Sequence, residues 1–162
     1  MKKLLILNLF LFITIKGWAP INPIQMQKEI SLTTKSYLKE QHEKQIVSIL
    51  QTIRLVESRN NYHIRGLSGE YGAYQFTIPT WNRLCRKYKN KTLDITIPAN
   101  QDTVARAHIE YLLSKGYDIK QIASIWNSGS PRYAGRIGIN RYGVKYNVPK
   151  YVDNFINVYG SI

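Results

Sequence analysis

The sequence predicts an all-α fold built as a single helical domain. Apolar residues recur at intervals of three and four in several stretches, which is the period of an amphipathic helix. Proline, aspartate and glycine stand at the borders of these stretches, where helices begin and end. We see no convincing strand pattern. The 162 residues are enough for one hydrophobic core, which typically takes ~100–150 residues.

The N-terminus, residues 1–19, has the layout of a secretory signal peptide. Two lysines precede an apolar run at 4–15, and the small residues Gly17 and Ala19 follow it. This order of charged, apolar and small residues is typical of an export signal. We therefore expect export across the cytoplasmic membrane to the periplasm or cell wall. The alternatives are an uncleaved segment that anchors the protein, with transient membrane association, and a buried N-terminal helix.

Residues 20–42 are polar with two early prolines, and they predict a linker or a loosely docked segment. The domain is expected over residues 43–160, with its first helix at 45–58. Apolar residues at helical spacing give that helix one buried face: Ile46, Ile49, Leu50, Ile53 and Val56.

Four further helices follow along the chain. Proline at a first helical position and aspartate before a helix mark helix starts, and glycine just after a helix marks its end. Residues 130–147 are rich in glycine and arginine and have no period, so they predict a long loop at a functional face or a flap. The expected helices open at Pro79, before Val104 with an end at Gly116, after Asp118 with an end near Gly129, and at Pro149.

The charge of the chain indicates an anionic partner. Lysine and arginine total 23 against 10 acidic residues, a net charge of +13, which would suit nucleic acid. Because the predicted signal peptide takes the protein out of the cytoplasm, we expect anionic cell-wall polymers and no nucleic acid. The alternative of another class is a non-enzymatic wall-binding module with a phosphate-contacting loop at Arg132, Arg136, Arg141 and Lys145.

Residue types exclude several kinds of site. Cys85 is the single cysteine, so the chain has no internal disulfide and no cysteine-based zinc site, and we expect Cys85 to be a small core residue. The three histidines share no ligand spacing, and no phosphate-binding glycine motif is present. We therefore expect no metal and no cofactor.

Glu57 stands out among the few acidic residues. It directly follows an apolar helix, beside Val56, where partial burial and the helix C-terminus both disfavour a carboxylate and raise its pKa. A carboxyl that holds a proton near neutral pH is what a general acid requires. From position alone, Glu57 is either this acid or a solvated helix-end glutamate.

Four short motifs sharpen that choice. They are Glu57-Ser58, Gly72-Ala73-Tyr74-Gln75, Trp126-Asn127-Ser128-Gly129 and Tyr151-Val152. In order and spacing they resemble the motifs of the lytic transglycosylases with the soluble-lytic-transglycosylase, lysozyme-like domain. The resemblance spans residues 43–160 and implies a lysozyme-like fold in a monomer.

The resemblance implies a role for each matching residue. Glu57 is the sole catalytic acid/base, and Ser58 supports either the N-acetyl group of the substrate or the pocket itself. Gln75 and Asn127 line the saccharide cleft, and Tyr151 lies against the Glu57 carboxyl. From the residues alone, the glutamine could satisfy loop backbone groups, the asparagine could cap a helix and the tyrosine could be a core residue.

The same resemblance implies the reaction. The substrate is the glycan strand of peptidoglycan, and the bond between N-acetylmuramic acid and N-acetylglucosamine is cleaved without water to leave a 1,6-anhydro ring. Glu70, between the first two motifs, keeps a hydrolytic muramidase open as the alternative, because a second acid can hold a water.

The motifs also depart from the family pattern. Ala73-Tyr74 replaces Leu-Met, and Trp126 replaces a tyrosine, which keeps an aromatic wall but alters the fit of a sugar. Arg59-Asn60 follows the Glu-Ser pair, where the family has a Gly-Gly-like continuation. The aromatic residues available for sugar stacking are Tyr62, Tyr71, Tyr74, Trp81 and Trp126, and we expect some of them to be core residues.

Overall fold

The structure is a computed structural model that describes residues 22–139, 143 and 145–162. Within these residues the chain forms five α-helices and one two-stranded antiparallel sheet, so it is mostly helical, which is compatible with the predicted all-α class. The predicted signal peptide at 1–19 lies outside the described residues, as does Arg141 of the predicted phosphate-contacting loop. None of the helices in the described part combines the length and apolarity needed to cross a membrane.

The first helix, α1, runs from Pro23 to Ser58 and is longer than predicted. It ends where the sequence indicates, but it begins in the segment expected to be a linker. After Pro23 that segment contains no proline or glycine and many good helix formers, so a helix can continue through it. The residues before Gln45 are mostly exposed, and for that reason they show no apolar period.

The chain divides into two compact units, Met1–Glu40 and Gln41–Ile162. The second unit contains the hydrophobic core and the remaining helices. These are α2 (Ile78–Lys89), α3 (Pro98–Ser114), α4 (Ile119–Ser128) and α5 (Val148–Tyr159).

The helix ends explain why these helices form where the sequence predicts them. Asp118 caps α4 in a capping box with Gln121, in which each side chain bonds the other residue's backbone N–H. Gly129 closes α4 at a φ of 73°, a left-handed conformation that glycine adopts without strain. Thr77 caps the start of α2 through its hydroxyl. The end of α4 matters because Trp126, Asn127 and Ser128, in its last turn, line the candidate site.

A short hairpin occupies part of the stretch predicted to be a loop. Strand β1 (Ile137–Ile139) pairs antiparallel with β2 (Lys145–Asn147), and Gly138 lies opposite Tyr146. The prediction of no strands is therefore wrong at this point. Strands of three residues are too short to show the alternation that identifies a strand in sequence.

The core is formed by buried apolar residues from all the helices of the second unit. Cys85 is fully buried, which confirms its expected place in the core. Trp81 is 2% exposed, and its indole nitrogen donates to the carbonyl of Leu93 at 2.8 Å. Tyr71 is also buried. Trp81 and Tyr71 are therefore among the aromatic residues that prove to be buried, and they offer no free face for sugar stacking.

Candidate active site

A cleft of about 550 Å³ opens in the second unit. Its volume falls in the ~300–1,000 Å³ range of small-molecule sites. The lining includes residues from the end of α1, the turn before α2, α2 itself, α3 and the end of α4. Most of the residues singled out in the sequence line it: Glu57, Glu70, Tyr74, Gln75, Trp126 and Asn127.

Glu57 lies in the last turn of α1 and faces the cleft. Burial raises the pKa of its carboxyl to about 7, against the opposing effect of a hydrogen bond from Tyr151, and the charge of Glu70 raises it further. Burial acts in this direction because it penalises the charged form. At neutral pH a large fraction of Glu57 therefore carries a proton.

Tyr151 holds the Glu57 carboxyl in place. It lies on α5, 94 residues further along the chain, and its hydroxyl donates to Oε1 of Glu57 at 2.5 Å. Burial, followed by the nearby Glu57 charge, raises the pKa of the Tyr151 hydroxyl well above its usual value. Tyr151 therefore stays protonated and remains a hydrogen-bond donor. Its hydrogen bond fixes one oxygen of the Glu57 carboxyl and thereby orients the carboxyl group.

Ser58 supports the pocket from behind. Its side chain is buried, and its hydroxyl lies 2.9 Å from the carbonyl of Ala73 and 3.1 Å from that of Arg54. It also accepts from the backbone N–H of Asn61 at 3.0 Å. These backbone groups use the single donor of the hydroxyl and one of its acceptor positions. The contact with an N-acetyl group that the resemblance implies stays a prediction. Ser58 joins the end of α1 to the turn that follows.

That turn, residues 71–76, carries Gln75 into the cleft. Tyr71 and Phe76 exchange backbone hydrogen bonds across it, and Gln75 adopts a φ of 48°, which a non-glycine residue tolerates only when its surroundings impose it. The side-chain amide of Gln75 donates to the carbonyl of Gly72 at 2.8 Å. The glutamine thus both satisfies its own turn and lines the cleft.

Gln101, on α3, fixes the 71–76 turn and was not identified from the sequence. It is fully buried, and its Oε1 accepts from the N–H of Ala73 at 2.9 Å. Its Nε2 donates to the carbonyls of Tyr62 and Ile95 at 3.0 and 2.8 Å. The sequence feature that could have identified Gln101 is its position one turn before Val104, on the buried face of a predicted helix.

Tyr74 is part of the cleft floor and not a free stacking face. Its ring is fully buried and lies 6.0 Å from that of Trp126. Its hydroxyl points to Asp102, donating to Oδ1 at 2.7 Å, and Tyr62 donates to the same oxygen at 2.7 Å. Asp102, which belongs to none of the motifs, is therefore the acceptor that holds both tyrosines. Among the described residues that line the cleft, the partly exposed Trp126 is the aromatic side chain left to face a ligand.

Glu70 places a second carboxyl in the cleft. Its Oε2 accepts from the N–H of Ser68 at 3.0 Å. Gly66 lies beside both side chains, because a Cβ there would come within 2.4 Å of Oε2 of Glu70 and 2.5 Å of Oε1 of Gln75 and would displace them. The chain thus accommodates the acid and the amide close together near Glu57.

Other lining residues carry no motif and were missed. They include Thr80 and Arg83 on α2 and His108 on α3. Nδ1 of His108 lies 2.9 Å from the hydroxyl of Tyr88. Burial lowers the pKa of His108 to about 4, and the charge of Arg83 contributes, so the ring is neutral at physiological pH.

The described residues contain no group of three or more histidine, cysteine, aspartate or glutamate side chains that could hold a metal ion. The chain matches no protein-family model, no curated protein and no solved structure. Function is therefore inferred from the geometry and chemistry of the cleft together with the motifs of the sequence.

Proposed function

We propose that the protein is a peptidoglycan lytic transglycosylase with a lysozyme-like fold, exported to act on cell-wall glycan strands as a monomer. The observation that carries the proposal is Glu57, a carboxyl with a pKa of about 7 in a cleft that Gln75, Trp126 and Asn127 also line. An indole face suits the apolar face of a sugar. The two amides supply both donors and acceptors for hydroxyl and acetamide groups.

In the proposed reaction, Glu57 first acts as a general acid. Its protonated carboxyl gives a proton to the glycosidic oxygen between N-acetylmuramic acid and N-acetylglucosamine, and the bond to the muramyl C1 breaks. The acetamide of the muramyl residue stabilises the developing positive charge, so no protein nucleophile is required. Tyr151 contributes by orienting the carboxyl through its 2.5 Å hydrogen bond.

Glu57 then acts as a general base. The carboxylate takes the proton from the C6 hydroxyl of the same muramyl residue, and that oxygen bonds to C1 to close the 1,6-anhydro ring. The proton lost in the first step is thereby regained, and no water is consumed. A pKa near the working pH suits both steps, since the group must give and accept a proton in one cycle.

A hydrolytic muramidase is the second candidate, and the position of Glu70 in the cleft favours it. In a hydrolase that needs two carboxyl groups, the second one activates a water on the far side of the sugar. That reaction would give a muramyl product with a free reducing end and would depend on Glu70.

Product mass distinguishes these reactions. The full chain is incubated with purified peptidoglycan, and the soluble muropeptides are analysed by mass spectrometry. We expect products lighter by one water than those of a hydrolase, and we expect Glu70→Gln to release the same products. Hydrated products that disappear in Glu70→Gln would show a muramidase. Binding to the wall with no soluble product would contradict both enzymes and leave the basic wall-binding module.

A further inference from the structure

The part of the cleft lined by α2 and α3 has a different chemistry from the acidic part. Arg83 is exposed on α2 and lines the cleft. Within the described residues it forms no ion pair and no hydrogen bond through its side chain. The guanidinium therefore faces the cleft with its donors available.

The neighbours of Arg83 do not neutralise it. His108 is kept neutral, with a pKa lowered to about 4 by burial and by the nearby cations Arg83 and Lys87. The ammonium of Lys87 is already engaged, since it lies 3.3 Å from the ring centroid of Tyr111. Among the described residues that line the cleft, Arg83 is thus the cation that remains open to a ligand.

Trp126 connects the two parts of the cleft. Its ring centroid lies 6.0 Å from that of Tyr74, whose turn also carries Gln75, and 6.0 Å from that of His108. A sugar stacked on the indole would therefore lie in a cleft that the carboxyls of Glu57 and Glu70 and the guanidinium of Arg83 all line. A cation in that lining suits a substrate that carries an anionic group beside the sugar ring.

We infer that Thr80, Arg83 and His108 form a subsite for a carboxylate carried by the muramyl residues of the substrate. The inference rests on the proposed function, because it concerns which group of the peptidoglycan strand this region binds. A guanidinium presents a planar fork of donors that matches a carboxylate. The Thr80 hydroxyl and the neutral imidazole add uncharged hydrogen-bonding groups beside it.

Peptidoglycan can supply such a carboxylate from two sources. One is the stem peptide, and the other is the lactyl group, whose carboxylate is free only where the peptide has been removed. The test measures dissociation constants for three ligands: glycan fragments with stem peptides, the same fragments after removal of the peptides, and uncharged N-acetylglucosamine oligomers. All proteins carry Glu57→Gln, so that bound strands are not consumed.

Arg83→Gln is compared with Arg86→Gln in this background. Arg86 lies on the same helix and is exposed, but it does not line the cleft. Arg86→Gln therefore removes the same positive charge from this helix and leaves the subsite unchanged. We expect Arg83→Gln to weaken binding about tenfold for a carboxylate-bearing ligand, the size of one charge-assisted hydrogen bond. Binding of the uncharged oligomers and all binding by Arg86→Gln should be unchanged. The fragment that shows the loss identifies the carboxylate.

Equal weakening for charged and uncharged ligands, or no weakening at all, would overturn the subsite. This outcome is independent of cleavage. A parent chain that fails to cleave peptidoglycan but keeps the carboxylate-dependent effect of Arg83 would contradict the transglycosylase and support the subsite. Circular dichroism of each variant confirms that the exposed substitutions leave the fold intact.

Discussion

Glu57→Gln is expected to abolish the release of muropeptides from peptidoglycan. General acid-base catalysis contributes typically ~10²–10⁴-fold, and here one side chain performs both proton transfers, so the loss should reach at least the upper part of that range. Glutamine has nearly the same shape and can still accept the hydrogen bond from Tyr151, but it has no proton of suitable acidity to give. The measurement is the rate of soluble muropeptide release under identical conditions.

Folding of the Glu57→Gln variant should be retained. Ionisation of a carboxyl whose pKa is raised in the folded state lowers the stability of that state as the pH rises through the folded pKa, here about 7. A neutral amide is free of this penalty, so the variant should melt no lower than the parent at alkaline pH. Asp153→Asn, an exposed change on α5, is the matched control and should keep full activity. A folded Glu57→Gln variant with normal activity would refute the assignment.

Gln101→Leu is expected to destabilise the domain strongly. Leucine is close in size but leaves the N–H of Ala73 and the carbonyls of Tyr62 and Ile95 without their partner. An unsatisfied buried group costs ~1–3 kcal/mol, so these groups together predict a loss of about 3 kcal/mol or more in the free energy of unfolding. For a domain of this size the melting temperature should fall by roughly 10 °C.

The control for this prediction is Gln51→Leu, at an exposed position of α1, which should change stability by less than ~0.5 kcal/mol. Gly72→Ala tests the contact between Gln101 and the 71–76 turn by a change in the turn itself. At a φ of 82°, its Cβ would lie 2.1 Å from Oε1 of Gln101, so this variant should also be destabilised. An unchanged melting temperature in Gln101→Leu would mean that other contacts hold the 71–76 turn.

The helices could be predicted from sequence because their signals are local. Asp118 and Gly129 identify the limits of α4 through caps that depend on neighbouring residues. The start of α1 could not be found in this way, because the residues after Pro23 are exposed and have no apolar period. The hairpin at β1 and β2 escaped because each strand has three residues.

The candidate site, like the fold, could be predicted from the sequence only in part. Its motif residues were selected by resemblance, and the structure brings most of them to one cleft. The contact between Tyr151 and Glu57 joins residues 94 positions apart, which no periodicity can reveal. Gln101, Asp102 and Arg83 belong to no motif. Their importance arises from tertiary contacts or from position in the cleft, so it became visible only with the fold.

The proposed chemistry of the cleft depends on a Glu57 carboxyl that carries a proton near neutral pH. The direct measurement is a titration of its side-chain ¹³C signal by NMR. We expect a midpoint of about 7, a lower midpoint in Glu70→Gln because that charge raises the pKa, and a higher one in Tyr151→Phe because that hydrogen bond lowers it. A midpoint near the ordinary value of 4.5 would contradict the account, since Glu57 would then be ionised at neutral pH and unable to donate the proton.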